Sequence, residues 1–371
     1  MHIISFLLLF LFQWVLSEKI IIEQLTSQYN SYTIQCRFTN QISFYHFTFD
    51  ISLPFSYLTK SYLNQSEKLT ATDPILLNQR TQEAYYITDT FSFYNTKISL
   101  NDFRFYVVES NRNILQSNSI GFGYADVDKE YSIIRRLYDE GKISRKIFAI
   151  GENQNLTPLY IGGIPSEVIQ NYKNKILLKV DERHNKWGIK LKKINFGNIG
   201  EYNNTHYAYL GTENDRVFAP HEFINFLNKE IFAPYYRNSY CTFYDEYGSA
   251  YINCYCDAIN YFPNMSLYID DYVFVLDKNR SFIDIGRDNL CLFLIQQNNY
   301  DKNQWLFGFF FYKKYITSFD LDRKEIILYT NDTIINLNKG NNAEISKKII
   351  YFIIVLLLIF ICANAYIIIK N

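Results

Sequence analysis

Apolar residues along this chain fall into short blocks, most of them rich in β-branched and aromatic side chains. Residues 19–22, 32–38, 44–53, 84–93 and 98–108 are such blocks. Short apolar runs separated by turn residues predict strands rather than helices. The chain up to Ile120 is therefore expected to be β-rich. Two later stretches break the pattern. Residues 131–141 read Tyr-Ser-Ile-Ile-Arg-Arg-Leu-Tyr-Asp-Glu-Gly, apolar at helical spacing and closed by a glycine. Residues 220–227, Pro-His-Glu-Phe-Ile-Asn-Phe-Leu, repeat that spacing behind a proline. A strand over residues 325–329 is expected to close the folded part. The class is all-β, mostly strands with short helices.

The two ends are apolar in a different way. Residues 3–16 form a run broken only by Ser5 and Gln13, and Val15-Leu16-Ser17 ends it with a small residue suited to a signal-peptidase cut. Residues 1–17 are read as a signal peptide. Residues 349–369 carry no charge and are long enough to cross ~30 Å of hydrocarbon, with Asn364 as the one strongly polar member. A cleaved signal plus one span makes a type I membrane protein of the secretory pathway, at the cell surface or in an endomembrane or vacuolar compartment. Lys347 and Lys348 before the span and Lys370 after it do not favour that orientation. The alternative is a GPI signal, attached at Asn338-Lys339-Gly340 or Gly340-Asn341-Asn342. Sequons at Asn64, Asn155, Asn203, Asn264, Asn279 and Asn331 suit either anchor.

Composition adds three things. Net charge is zero, which removes the electrostatic case for nucleic acid. Tyr (33) and Phe (31) are abundant, as strands and apolar clusters require. Of six cysteines, Cys362 lies in the apolar tail, Cys36 stands alone, and Cys241, Cys254, Cys256 and Cys291 cluster. In an oxidising compartment the cluster reads as two disulfides. No Cys-x-x-Cys pair exists, and the spacing of His46, His184, His206 and His221 does not suggest zinc. No cofactor or metal is expected.

The candidate chemistry lies in residues 208–220, Ala-Tyr-Leu-Gly-Thr-Glu-Asn-Asp-Arg-Val-Phe-Ala-Pro, a strand that enters a tight loop and leaves it. This stretch resembles the second active-site loop of pepsin-like aspartic proteases, peptidase family A1. There the order is small, apolar, apolar, Asp-Thr-Gly-Thr, an apolar pair, then Gly-Pro. Laid on without gaps, Gly211 falls on the catalytic aspartate, Glu213 on the glycine and Asn214 on the second threonine. Phe49-Asp50-Ile51-Ser52-Leu53-Pro54-Phe55-Ser56 is similar to the first loop, Phe-Asp-Thr-Gly-Ser-Ser. Asp50 matches the first catalytic aspartate there, with Ile51 and Ser52 replacing Thr and Gly.

Further matches follow in family order. Ser119-Ile120-Gly121-Phe122-Gly123 resembles Gly-Ile-Leu-Gly-Leu. Trp187-Gly188-Ile189-Lys190-Leu191 resembles Trp-x-Ile-x-Leu, and Trp305-Leu306-Phe307-Gly308 resembles Trp-Ile-Leu-Gly. The resemblance covers roughly residues 32–330.

It implies a bilobal fold: an N-terminal β lobe over residues 18–170, a C-terminal β lobe over 171–332, and a stalk over 333–348. It implies that the elements at Gly121 and Gly308 each lie beside their own loop, across a pseudo-twofold axis. Cys256, seven residues before Pro263, matches the last-disulfide cysteine, which implies Cys256–Cys291 and leaves Cys241–Cys254. The family also closes its cleft with a hairpin whose tip is rich in glycine. All fourteen glycines here lie between Gly121 and Gly340, so that hairpin is expected to be missing, with residues 85–90 as its nearest remnant.

An aspartic protease needs two carboxylates sharing a proton around one water. Asp50 supplies one, and Gly211 supplies none. Glu213 and Asp215 are the acids that a rebuilt loop would have to use instead. If the chain is cut after Ser17, fourteen residues precede Tyr32, too few for a propeptide that covers the cleft. The expected function is therefore an inactive homologue. It would bind a peptide or protein in or near the interlobe cleft, or serve as a surface structural protein. The alternative is an active endopeptidase that pairs Asp50 with Glu213 or Asp215.

Overall fold

A computed structural model describes residues 19–337 except 29–30, 39–43, 61–68, 73–74, 78–79, 109–117, 125–130, 152–156, 182–184, 205, 213–215, 247–248, 287, 299–302, 309–310, 312–313 and 333. The readings made on residues 1–17, 338–342 and 349–369 lie outside the described residues. Among those described, no helix is long and apolar enough to cross a membrane.

The apolar blocks become strands: Ser31–Phe38, Tyr45–Asp50, Ala84–Phe93 and Ser99–Val108. In the last of these, Phe103, Phe105 and Val107 are buried in alternation with half-buried neighbours, the two-residue period of a half-covered sheet. The helical stretches become Ile133–Asp139 and His221–Phe226. Gly141 follows the first at φ +64, a left-handed turn that glycine takes without strain. The second runs on through a wider turn, Leu227–Ile231, into Ala233–Arg237, longer than the spacing alone predicts.

The sheets repeat one topology twice. In the first half, Ser31–Phe38 pairs antiparallel with Tyr45–Asp50, which pairs parallel with Ser119–Gly121. That strand meets Tyr57–Thr59 antiparallel, and Tyr57–Thr59 pairs parallel with Ser99–Val108. In the second half the same series runs Gly188–Asn195, His206–Leu210, Trp305–Phe307, Val217–Ala219 and Ile295–Gln297. The senses are again antiparallel, parallel, antiparallel and parallel.

A bridging antiparallel ladder joins the halves. Ile21–Gln28, Thr157–Ile161 and Ile147–Ile150 come from one half, then Ile316–Asp320, Glu325–Thr330 and Asn174–Lys179 from the other. At its middle Phe148 pairs with Phe319, their rings stacked at 4.7 Å.

Above that midpoint sits an aromatic cluster. Phe49 and Phe122 pack on Phe148, and Trp187 packs on Phe148 and Phe319. All five side chains are buried. The Trp187 Nε1–H donates to the Phe122 carbonyl at 3.1 Å, tying the second half to the loop of the first.

Farther out, Cys241 and Cys254 face each other in the hairpin Cys241–Glu246/Ser249–Tyr255 and form a disulfide. A second disulfide joins Cys256 to Cys291, and Cys36 is a buried free thiol. This is the pairing that the family resemblance implies.

Candidate functional site at the junction of the two loops

Strand Tyr45–Asp50 delivers Asp50 to the middle of the molecule, where the residue is only 5% exposed. One carboxylate oxygen, Oδ1, accepts from the Ser52 amide and the Ser52 hydroxyl, each at 2.7 Å. Both bonds turn the chain sharply after the strand, as an aspartate side chain commonly does. The loop then lies on the Gly121-Phe122-Gly123 segment. Phe122 N–H donates to the Asp50 carbonyl at 2.7 Å and Gly123 N–H to the Leu53 carbonyl at 2.6 Å. A Cβ at Gly121 would fall 2.1 Å from the Phe55 carbonyl oxygen, and one at Gly123 would fall 2.4 Å from the Leu53 carbonyl carbon. Glycine is required at both for close backbone approach, not for unusual torsions.

The register of the second half identifies the partner position. Phe49 pairs with Ile120 and Asp50 with Gly121. In the repeat, Leu210 pairs with Phe307, so Gly211 stands beside Gly308 where Asp50 stands beside Gly121. Gly211 is thus the repeat mate of Asp50, and Thr212 that of Ile51. The two loops also touch. The Thr212 hydroxyl donates to the Phe49 carbonyl at 2.6 Å and accepts from the Ile51 amide at 3.2 Å. Its two bonds flank Asp50. Ile51 is fully buried and has no hydroxyl to reach back, so the latch between the loops is one-sided.

A Cβ at Gly211 would sit 2.6 Å from the Cδ1 methyl at the far end of the buried Leu306 side chain and 3.8 Å from its Cγ, so a side chain there needs that methyl to turn aside. Glu213 and Asp215 lie outside the described residues. Cys256, Asp284 and Cys291 come together, but the two sulfurs are joined to each other.

The expectation that the cleft hairpin is missing needs correction. Residues 85–90, its expected nearest remnant, belong to the strand Ala84–Phe93, which pairs with Ser99–Val108 through a register shift between Asp89 and Phe91. A separate hairpin, Ile75–Leu77 with Arg80–Gln82, precedes it. Its Ile75 is buried among Tyr57, Ala84 and Val108, with Leu53, Phe55 and Tyr106 packed against them. A hairpin therefore does lie beside the Asp50 loop, built without glycine. The sequence reading missed it by looking for glycine. It also missed Leu306, for which no local signal exists. Thr212 was visible as the one residue of that loop which keeps the family's identity.

The comparisons agree with this geometry. A family model described as eukaryotic aspartyl protease matches residues 78–330. A search of curated proteins finds no match. Among solved structures, the chain is similar to an aspartic proteinase from Irpex lacteus. The TM-score is 0.64 at 14% identity, covering 84% of this chain and 98% of that one. At that identity the likeness speaks for the fold. The matched family span contains Gly211 and the Gly308 element, while Asp50 lies ahead of it and is placed by strand register and by Thr212. The chain belongs to the eukaryotic aspartyl protease family and has its pepsin-like, mostly β fold.

Proposed function

We propose that this chain is a catalytically inactive member of its family, held outside the cytosol on a membrane, and that it binds a peptide or protein at the junction of its halves. The observation that carries the reading is Gly211. The repeat mate of Asp50 has no side chain, so no carboxylate stands at the position that would pair with Asp50. One carboxylate alone lacks the paired pKa values by which an acid and a base share the work on a water. General acid–base help is worth about 10²–10⁴-fold for each group. Binding asks less of the site. Half-buried Leu53 and Phe55, on the loop that follows Asp50, pack with Tyr106 into an apolar group beside it, the kind of lining that peptide clefts use. Two disulfides support an oxidising compartment, and residues 1–17 and 349–369 supply the route and the anchor.

A statine-type inhibitor such as pepstatin tests the site directly, because its hydroxyl needs a carboxylate on each side. Calorimetric titration of the purified protein is expected to show no tight binding. Sub-micromolar binding that Asp50→Asn abolishes would overturn the reading and turn attention to Glu213 and Asp215.

A further inference from the structure

The face of the second half that carries the disulfides presents tyrosines to solvent. Tyr240, Tyr255 and Tyr261 are 42%, 50% and 73% exposed, and Tyr261 is the most exposed large apolar side chain among the described residues. The rings of Tyr240 and Tyr261 are near-parallel at 6.3 Å. With Pro234, Tyr235 and Asn238 they line an open cavity of about 360 Å³. The Tyr235 hydroxyl donates to the Tyr261 carbonyl at 2.8 Å and fixes the floor. The lining holds aromatic faces, phenol hydroxyls and one carboxamide, and no charge. That combination suits a neutral sugar, whose C–H face packs on a tyrosine ring while its hydroxyls meet the polar edges.

A sugar would be tethered close by. The sequon Asn264-Met265-Ser266 begins three residues after Tyr261, a span of about 10 Å at full extension. Asn264 is exposed. Its Oδ1 accepts from the Lys278 amide at 3.2 Å, a bond that does not involve Nδ2, the atom that carries a glycan. Lys278 Nζ in turn donates to the Asn260 carbonyl at 2.7 Å, which keeps Asn264 and the residue before Tyr261 in one neighbourhood. Asn203 differs, because its Nδ2 donates to Glu201 at 2.6 Å.

We propose that Asn264 carries an N-linked glycan whose first sugars seat in this cavity against Tyr261 and Tyr240. In the transfer, the amide nitrogen bonds the anomeric carbon of a lipid-pyrophosphate-linked oligosaccharide. The lipid pyrophosphate leaves with the electron pair of the broken C–O bond, and the amide gives up one proton. The inference rests on the secretory routing proposed above. It goes further in saying which sequon is structural and what its sugar touches.

The test uses the full chain expressed in a glycosylating eukaryotic cell line, with glycopeptide mass spectrometry and thermal unfolding. Asn264 is expected to be occupied. Ser266→Ala removes the glycan while keeping the Asn264 side chain, and is expected to lower Tm by about 2 °C. In a Tyr261→Ala background that loss is expected to vanish. Should Ser266→Ala fail to fold, treating the folded wild-type and Tyr261→Ala proteins with peptide:N-glycanase, which hydrolyses the asparagine–sugar bond and leaves an aspartate, gives the same comparison. A bare Asn264 beside other occupied sequons overturns the inference alone, as does an equal Tm loss with and without Tyr261. A chain with no occupied sequon overturns the routing and the inference together.

Discussion

The Thr212 hydroxyl donates to the Phe49 carbonyl and accepts from the Ile51 amide, so one buried side chain spans both loops. Thr212→Val keeps its shape and leaves two buried backbone groups without those bonds. The expected cost is about 1–3 kcal/mol, read as a lower urea midpoint with an unchanged slope. His206, on the strand that ends before Gly211, is sensitive to pH rather than to shape. Burial holds its pKa below the ordinary imidazole value, and Glu222 opposes this only partly. The ring stacks on Tyr202, and its Nε2 lies 3.1 Å from the Tyr202 hydroxyl. The unfolded chain therefore takes up the proton first, near the unperturbed value of about 6.5. Stability is present above that pH and is lost as pH falls through it, the direction that linkage requires when the unfolded state binds more protons. A Tm series across this range is expected to fall less steeply in His206→Gln than in wild type.

Among the elements, the aromatic cluster under the loops carries the most packing. Trp187→Ala removes a fully buried ring and its bond to Phe122. It should destabilise the fold by about 3–5 kcal/mol, measured by denaturant unfolding. Removing the Cys256–Cys291 bridge, whose ends are 35 residues apart, should cost about 4 kcal/mol. Cys256→Ala with Cys291→Ala, unfolded beside wild type, measures it. Strand positions were legible from residue order alone, since blocks such as 84–93 and 98–108 have no competing helical period. The disulfides were legible only through the family resemblance. The hairpin at Ile75 was not, because it lacks the glycines by which such tips are known and its anchor is a tertiary contact with Leu53 and Phe55. Nor was the Leu306 methyl beside Gly211, because Leu306 lies almost a hundred residues away in the chain and reaches it only through strand pairing.

For the whole molecule, the two halves share one strand series and meet in one bridging ladder, yet their loops have diverged unequally. The first keeps the acid and has lost the threonine that would match Thr212. The second keeps the threonine and has lost the acid. Each loop retains what the other lacks: Asp50 on one side, the hydroxyl that braces Asp50's strand on the other. This pattern keeps the junction as a structure and leaves Asp50 without an acid at its repeat-mate position. Restoring an acid at one position is not enough: Gly211→Asp needs only the Leu306 methyl to turn aside, but Ile51 still stands where the first loop would need a threonine. That variant is expected to remain inactive. The central claim is tested most directly by incubating the purified protein with a denatured protein substrate across acid to neutral pH and following cleavage by mass spectrometry. The expected result is no cleavage above that of Asp50→Asn at any pH. Cleavage at acid pH that Asp50→Asn abolishes would contradict the account.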